Sequence, residues 1–178
     1  MRNKGIISDS TLIDSQHARR LLAAEGYIEL EMYSEAAAEL RQLEPDCVAL
    51  EQTMVLQLCV YAGLHKWKQA HKLATALARQ DPDNPQWAIW SASATCRLQS
   101  VEAAKGVLLK ALDTHPDNAN IHYNLSCYET RLHHFHKAQR HLARAIQLDP
   151  RFKLVAMDDA DLEPLWMNVT NAPEDLAI

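Results

Sequence analysis

A chain of 178 residues and 20.1 kDa is long enough for one domain with a substantial core and short for two, and with 48% apolar and 23% charged residues it is not a disordered segment. Four glycines are far below the usual ~7%, which argues against β-rich and α/β architectures and excludes glycine-dependent nucleotide and nucleophile motifs; an all-α protein is expected. A formal charge of -5 and a pI near 6.0 argue against a general nucleic-acid binder.

Taken in chain order, a leader of 16 residues is expected to be partly helical. Met1 to Lys4 run into Asp9 and Asp14 without an apolar stretch, so neither a signal peptide nor a membrane anchor is expected and a cytoplasmic location is. Four units follow, 17–50, 51–84, 85–118 and 119–152, because five columns repeat at an interval of 34. Ala36, Ala70, Ala104 and Ala138 form one column, and Leu30, Leu64, Leu98 and Leu132 another. Tyr33, Trp67, Val101 and Phe135 keep the interval, as do Leu40, Ala74, Leu108 and Leu142, and the prolines Pro82, Pro116 and Pro150.

Within each unit two apolar-periodic stretches flank a short turn, near Glu31, His65, Gln99 and His133, so each reads as a helical hairpin. Proline ends the second helix and Asp or Asn caps the next. Pro45 falls early in unit one, whose second helix is expected to be short, with an irregular loop at Asp46. The alanine column marks where the two helices of a hairpin cross too closely for a larger side chain. After Pro150, residues 153–167 predict one or two capping helices, with Asp161 as a cap and Val155, Leu162, Leu165 and Trp166 covering unit four; 168–178 is expected to be a mobile tail.

Alanine followed four residues later by a further core residue, then proline, resembles the tetratricopeptide repeat (TPR) family over roughly 17–152. The resemblance implies a right-handed α-solenoid of four such hairpins with a capping helix, its concave face formed by the first helices. The first helices depart from the family pattern, with Arg20, Met54, Ala88 and His122 in the aromatic column.

Chemistry-bearing residues are sparse in pattern. Cys47, Cys59, Cys96 and Cys127 stand singly with no CxxC, so reduced, mostly buried thiols are expected. His133, His134, His136 and His141 lack metal-ligand spacing, and Asp158, Asp159, Asp161 and Glu163 lack the glycine and oxygen spacing of a calcium loop. No cofactor, metal or enzymatic activity is expected.

The register assigns a ligand groove to Val55, Cys59, Gln86, Ile89, Trp90, Ser93, Arg97, Asn120, Tyr123, Asn124, Cys127 and Arg131. Some family members clamp the acidic tails of heat-shock chaperones. The matching positions here, among them Leu21, Glu25, Leu56 and Gln86, cannot neutralise two carboxylates, so that activity is not expected. The expected role is an adaptor or scaffold for a protein or peptide ligand, with neither nucleic acid nor membrane as partner. Arg97 and Arg131, sharing a column, would suit a ligand with acidic groups. The alternative is a small cytoplasmic chaperone for a secretion-system client.

Overall fold

The computed structural model describes residues 10–44 and 51–167, and every regular element among them is an α-helix. In chain order these are α1 (Ser10–Glu29), α2 (Tyr33–Leu40), α3 (Glu51–Gly63), α4 (Trp67–Gln80) and α5 (Pro85–Leu98). They continue with α6 (Val101–Ala111), α7 (Ala119–Arg131), α8 (Phe135–Leu148), α9 (Phe152–Met157) and α10 (Glu163–Met167). Residues 1–9, the irregular loop expected at Asp46 together with Pro45 and Cys47, and the expected mobile tail lie outside the described residues.

Helix starts follow local chemistry. Asn84 accepts from the Gln86 amide at 3.1 Å ahead of Pro85, whose missing N–H costs nothing at a first helical position. Ser100 and Asn118 cap α6 and α7 by accepting from Ala103 and Ile121 at 3.1 and 3.0 Å. α1 joins the helical part of the leader to unit one without a break from Ser10, since neither Gly nor Pro intervenes before His17. α2 has only 8 residues, in line with the early Pro45.

Three hairpins turn in the same way. Glu31, His65 and His133 have φ of 58°, 55° and 59°. At each, the next amide reaches back to close the helix: Met32 to Tyr27 O at 2.8 Å, Lys66 to Tyr61 O at 2.7 Å, and His134 to Glu129 O at 2.8 Å. The left-handed residue itself donates to the carbonyl three residues earlier, which completes a Schellman motif without its usual glycine. The turn at Gln99 differs, with φ -128° and a single bond to Thr95 O.

The chain forms two compact units, Met1–Leu73 and Ala74–Ile178, the division falling within α4. In the first unit Leu21, Ala24, Ala36, Leu40, Leu43, Leu56 and Val60 form the core. Tyr33 lies against the end of α3 so closely that a Cβ at Gly63 would run into its ring. Leu21 is therefore core and not groove, whereas Leu22 is 70% exposed.

In the second unit, one cluster joins Ala92, Ala104, Leu108, Ile121, Leu125 and Tyr128, which couples α5, α6 and α7. Another joins Tyr123, Cys127, Ala138, Leu142 and Ala145 to Ala156, Leu162 and Leu165 of the C-terminal segment. Ala36, Ala104 and Ala138 are wholly buried and Ala70 is 1% exposed, as expected of close helix crossings.

The C-terminal segment packs on α8, with two differences in detail from the sequence expectation. Val155 is 50% exposed and Ala156 takes the inward position, because α9 begins at Phe152 and the helical period carries its buried stripe one residue on. The turn before α10 is closed by Asp159, whose carboxylate accepts from the Asp161 amide at 2.9 Å, rather than by Asp161.

Candidate functional site

α5 and α7 pack side by side as the first helices of successive hairpins. Along α5, Ile89, Trp90, Ser93 and Cys96 are half-buried, with Gln86 and Arg97 exposed at either end. On α7, Asn120 and Arg131 are exposed and Asn124 is half-buried. Arg131 reaches back across the pair, its guanidinium donating to Cys96 Sγ at 3.4 Å. Val55 and Cys59 lie half-buried on α3 in the first unit, and burial pushes the Cys59 thiol up.

Tyr123 and Cys127, assigned to the groove by the register, are instead covered by the C-terminal segment, at 8% and 7% exposure. The Tyr123 ring stacks on Phe152 with centroids 4.7 Å apart. Its hydroxyl donates to Asp159 Oδ2 at 2.5 Å, and the Cys127 thiol donates to the same oxygen at 3.7 Å. Burial, then the Asp159 carboxylate, pushes both groups well above their ordinary values. Cys127 is thus held as a thiol, the opposite of an activated nucleophile.

Behind this face, on the side of the second helices, α7 carries a carboxylate that is almost fully buried. Glu129, 3% exposed, accepts from His134 Nδ1 at 2.6 Å and Lys105 Nζ at 3.4 Å. Burial pushes its carboxyl up, but the bonds from His134 and Lys105 outweigh this and hold it below its ordinary value.

Two turns away along α7, His122 Nδ1 and His141 Nδ1 are 3.0 Å apart, and His122 Nε2 lies 2.9 Å from the Pro116 carbonyl. A carbonyl can only accept, so His122 carries a proton on Nε2, and a single proton lies between the two Nδ1 atoms. Burial, then His122, lowers the pKa of His141, so the imidazole is neutral at physiological pH. Among the described residues no group of His, Cys, Asp and Glu is placed to hold a metal ion, and no helix is long and apolar enough to cross a membrane.

No family model matches the chain. It is 31% identical over 94 residues to the mouse interferon-induced protein with tetratricopeptide repeats 2, a match covering 52% of this chain and 20% of that one. The chain therefore spans about one fifth of the length of the curated relative it matches. Among solved structures, it superposes on TTC0263, a thermophilic TPR protein of Thermus thermophilus, with a TM-score of 0.70 at 16% identity, covering 86% of this chain and 82% of that one. The chain has the tetratricopeptide-repeat fold.

YrrB, described as a TPR protein with an unusual peptide-binding site, aligns with TM-score 0.57 at 18% identity over 81% of this chain and 76% of that one. A MamA variant aligns with TM-score 0.56 at 17% identity over 87% and 84%. TPR periodicity located the hairpins, but it could not show the His122–His141 pair or the Glu129 cluster, whose partners meet between helices. Their only signal in sequence was a polar residue, His122 or Glu129, on a helix whose other inward positions are small or apolar.

Proposed function

We propose that the protein is a non-enzymatic adaptor that holds a segment of a partner protein against the first-helix face of α5 and α7. The reading rests on Arg131 of α7 reaching across to Cys96 of α5, with Arg97 the next residue in the α5 sequence and in the same repeat column as Arg131. Two guanidiniums at one edge suit a carboxylate of the ligand, with bidentate hydrogen bonds that are charge-assisted. Ile89 and Trp90 would contact apolar ligand side chains, with Gln86, Ser93, Asn120 and Asn124 offering hydrogen bonds. A peptide-binding site in one structural relative, YrrB, supports a peptide or protein ligand.

Selection of peptides from a displayed library on the immobilised protein, followed by titration, tests this. Trp90→Ala, and Arg97→Ala with Arg131→Ala, should each weaken the selected peptides by about 1 to 3 kcal/mol, the arginine pair also flattening the salt dependence. Unchanged affinity in both variants would overturn the assignment.

A further inference from the structure

The opposite side of the second unit carries a basic groove that the adaptor face does not use. Lys105 from α6 and Lys137, Arg140 and Arg144 from α8 line a depression of about 460 Å³ whose floor is His122, His141 and Glu129. In a chain of net charge -5 this is a local reversal of sign. α8 itself contains no acidic residue, so its cations have no charge partner along their own helix, although Arg144 also donates to Gln147 at 2.7 Å. Glu129, the acid in the lining, is already engaged by Lys105 and His134. Lys137 and Arg140 are exposed and make no ion pair among the described residues. Arg144 already holds a carboxylate, that of Asp117, which is 70% exposed at the mouth of the groove.

Arrangement separates the possible anions. Lys137, Arg140 and Arg144 follow one another at intervals of three and four residues, a straight stripe along one face of α8 that spans about 10.5 Å. A small anion would need converging donors, whereas a stripe matches carboxylates repeated at the same intervals on a second helix. Leu109, 43% exposed on α6, borders the stripe and gives such a helix an apolar contact. The hydrogen-bonded His122–His141 pair makes a floor held by contacts within the protein. We propose that the groove between α6 and α8 is a second docking site, for a helical partner segment carrying carboxylates three and four residues apart. On engagement that segment displaces Asp117 from Arg144.

The probe is a fluorescein-labelled, alanine-based helical peptide with Glu at positions i, i+3 and i+7, titrated by anisotropy onto the full chain at low ionic strength. Lys137→Gln with Arg140→Gln should weaken it about tenfold. Lys72→Gln with Lys153→Gln, which removes the same charge from exposed positions elsewhere, should leave affinity unchanged. The Gln-for-Glu peptide should not bind. Lys137→Glu with Arg140→Glu should bind the matching Lys peptide in place of the Glu peptide, a recovery that misfolding cannot produce. Equal binding of a peptide with the same glutamates at broken spacing would overturn the proposal. So would displacement of the Glu peptide by polyuridylate at matched charge, since both outcomes mark a surface that reads only total negative charge.

Discussion

Leu162 provides a direct test that the segment after Pro150 is part of the fold. It is wholly buried, between α9 and α10, against the cluster formed by Ala138, Leu142, Ala145 and Tyr123. Leu162→Ala removes three carbons at about 0.8 kcal/mol each in lost transfer energy, so about 2.5 kcal/mol before any cavity cost. Three of its cluster neighbours are alanines, which have no side chain to swing into the space, and this argues for a residual cavity. Against that, α9 and α10 are single turns and can shift inward. A total of about 3 to 4 kcal/mol follows. It should appear as a fall in melting temperature of roughly 15 °C for the second unit, followed by circular dichroism and by the fluorescence of Trp166, which packs on the same cluster. A loss below about 1 kcal/mol would mean that the segment is not held as described and would refute the reasoning.

Acid should weaken the fold through Glu129. Its folded carboxyl titrates below the ordinary 4.5, so the unfolded chain takes up the proton first; the stabilisation is complete above about pH 4.5 and is lost as pH falls through the folded value. Glu129→Gln should flatten that acid limb and cost about 1 to 3 kcal/mol at neutral pH, and parallel pH profiles for the two proteins would contradict the account. Gly63→Ala should destabilise by about 1 to 3 kcal/mol in chemical denaturation, although alanine is favoured by up to about 1 kcal/mol in a helix, because the new Cβ meets the base of the Tyr33 ring. A gain in stability would show that Tyr33 can move aside. Ala138→Leu, at a fully buried helix crossing, should cost about 1 to 3 kcal/mol in a thermal melt; no change would place the crossing elsewhere.

What the 34-residue interval revealed was set by local chemistry. Pro85 and Ala119 begin helices as expected, since caps and prolines act within one turn of the chain. The turn residues Glu31, His65 and His133 were located from spacing, but nothing in a Glu or a His announces a left-handed backbone. Which side of a helix is covered depends on the neighbour, and there sequence reasoning failed. Val155 points outward, and Tyr123 and Cys127 lie beneath Phe152 and Asp159. The histidines were weighed by spacing along one helix. The pair that forms, His122 with His141, joins residues 19 apart on two helices.

The contact of Phe152 and Asp159 with Tyr123 has a bearing on how long a ligand this unit can hold. α9 touches α8 and, through Phe152, α7, much as α7 touches α6 and α5. It takes the seat that one more first helix would take, but with a single turn and two side chains in place of a full face. The hairpin of α7 and α8 therefore gives Tyr123 and Cys127 to closure, and on the proposed adaptor reading Asn120, Asn124 and Arg131 are what α7 has left to meet a ligand. A binding footprint on such an array is then shorter than its repeat number implies. On that reading the segment after Pro150 limits the footprint on this unit, and lengthening it would require replacing that segment rather than adding residues to a loop.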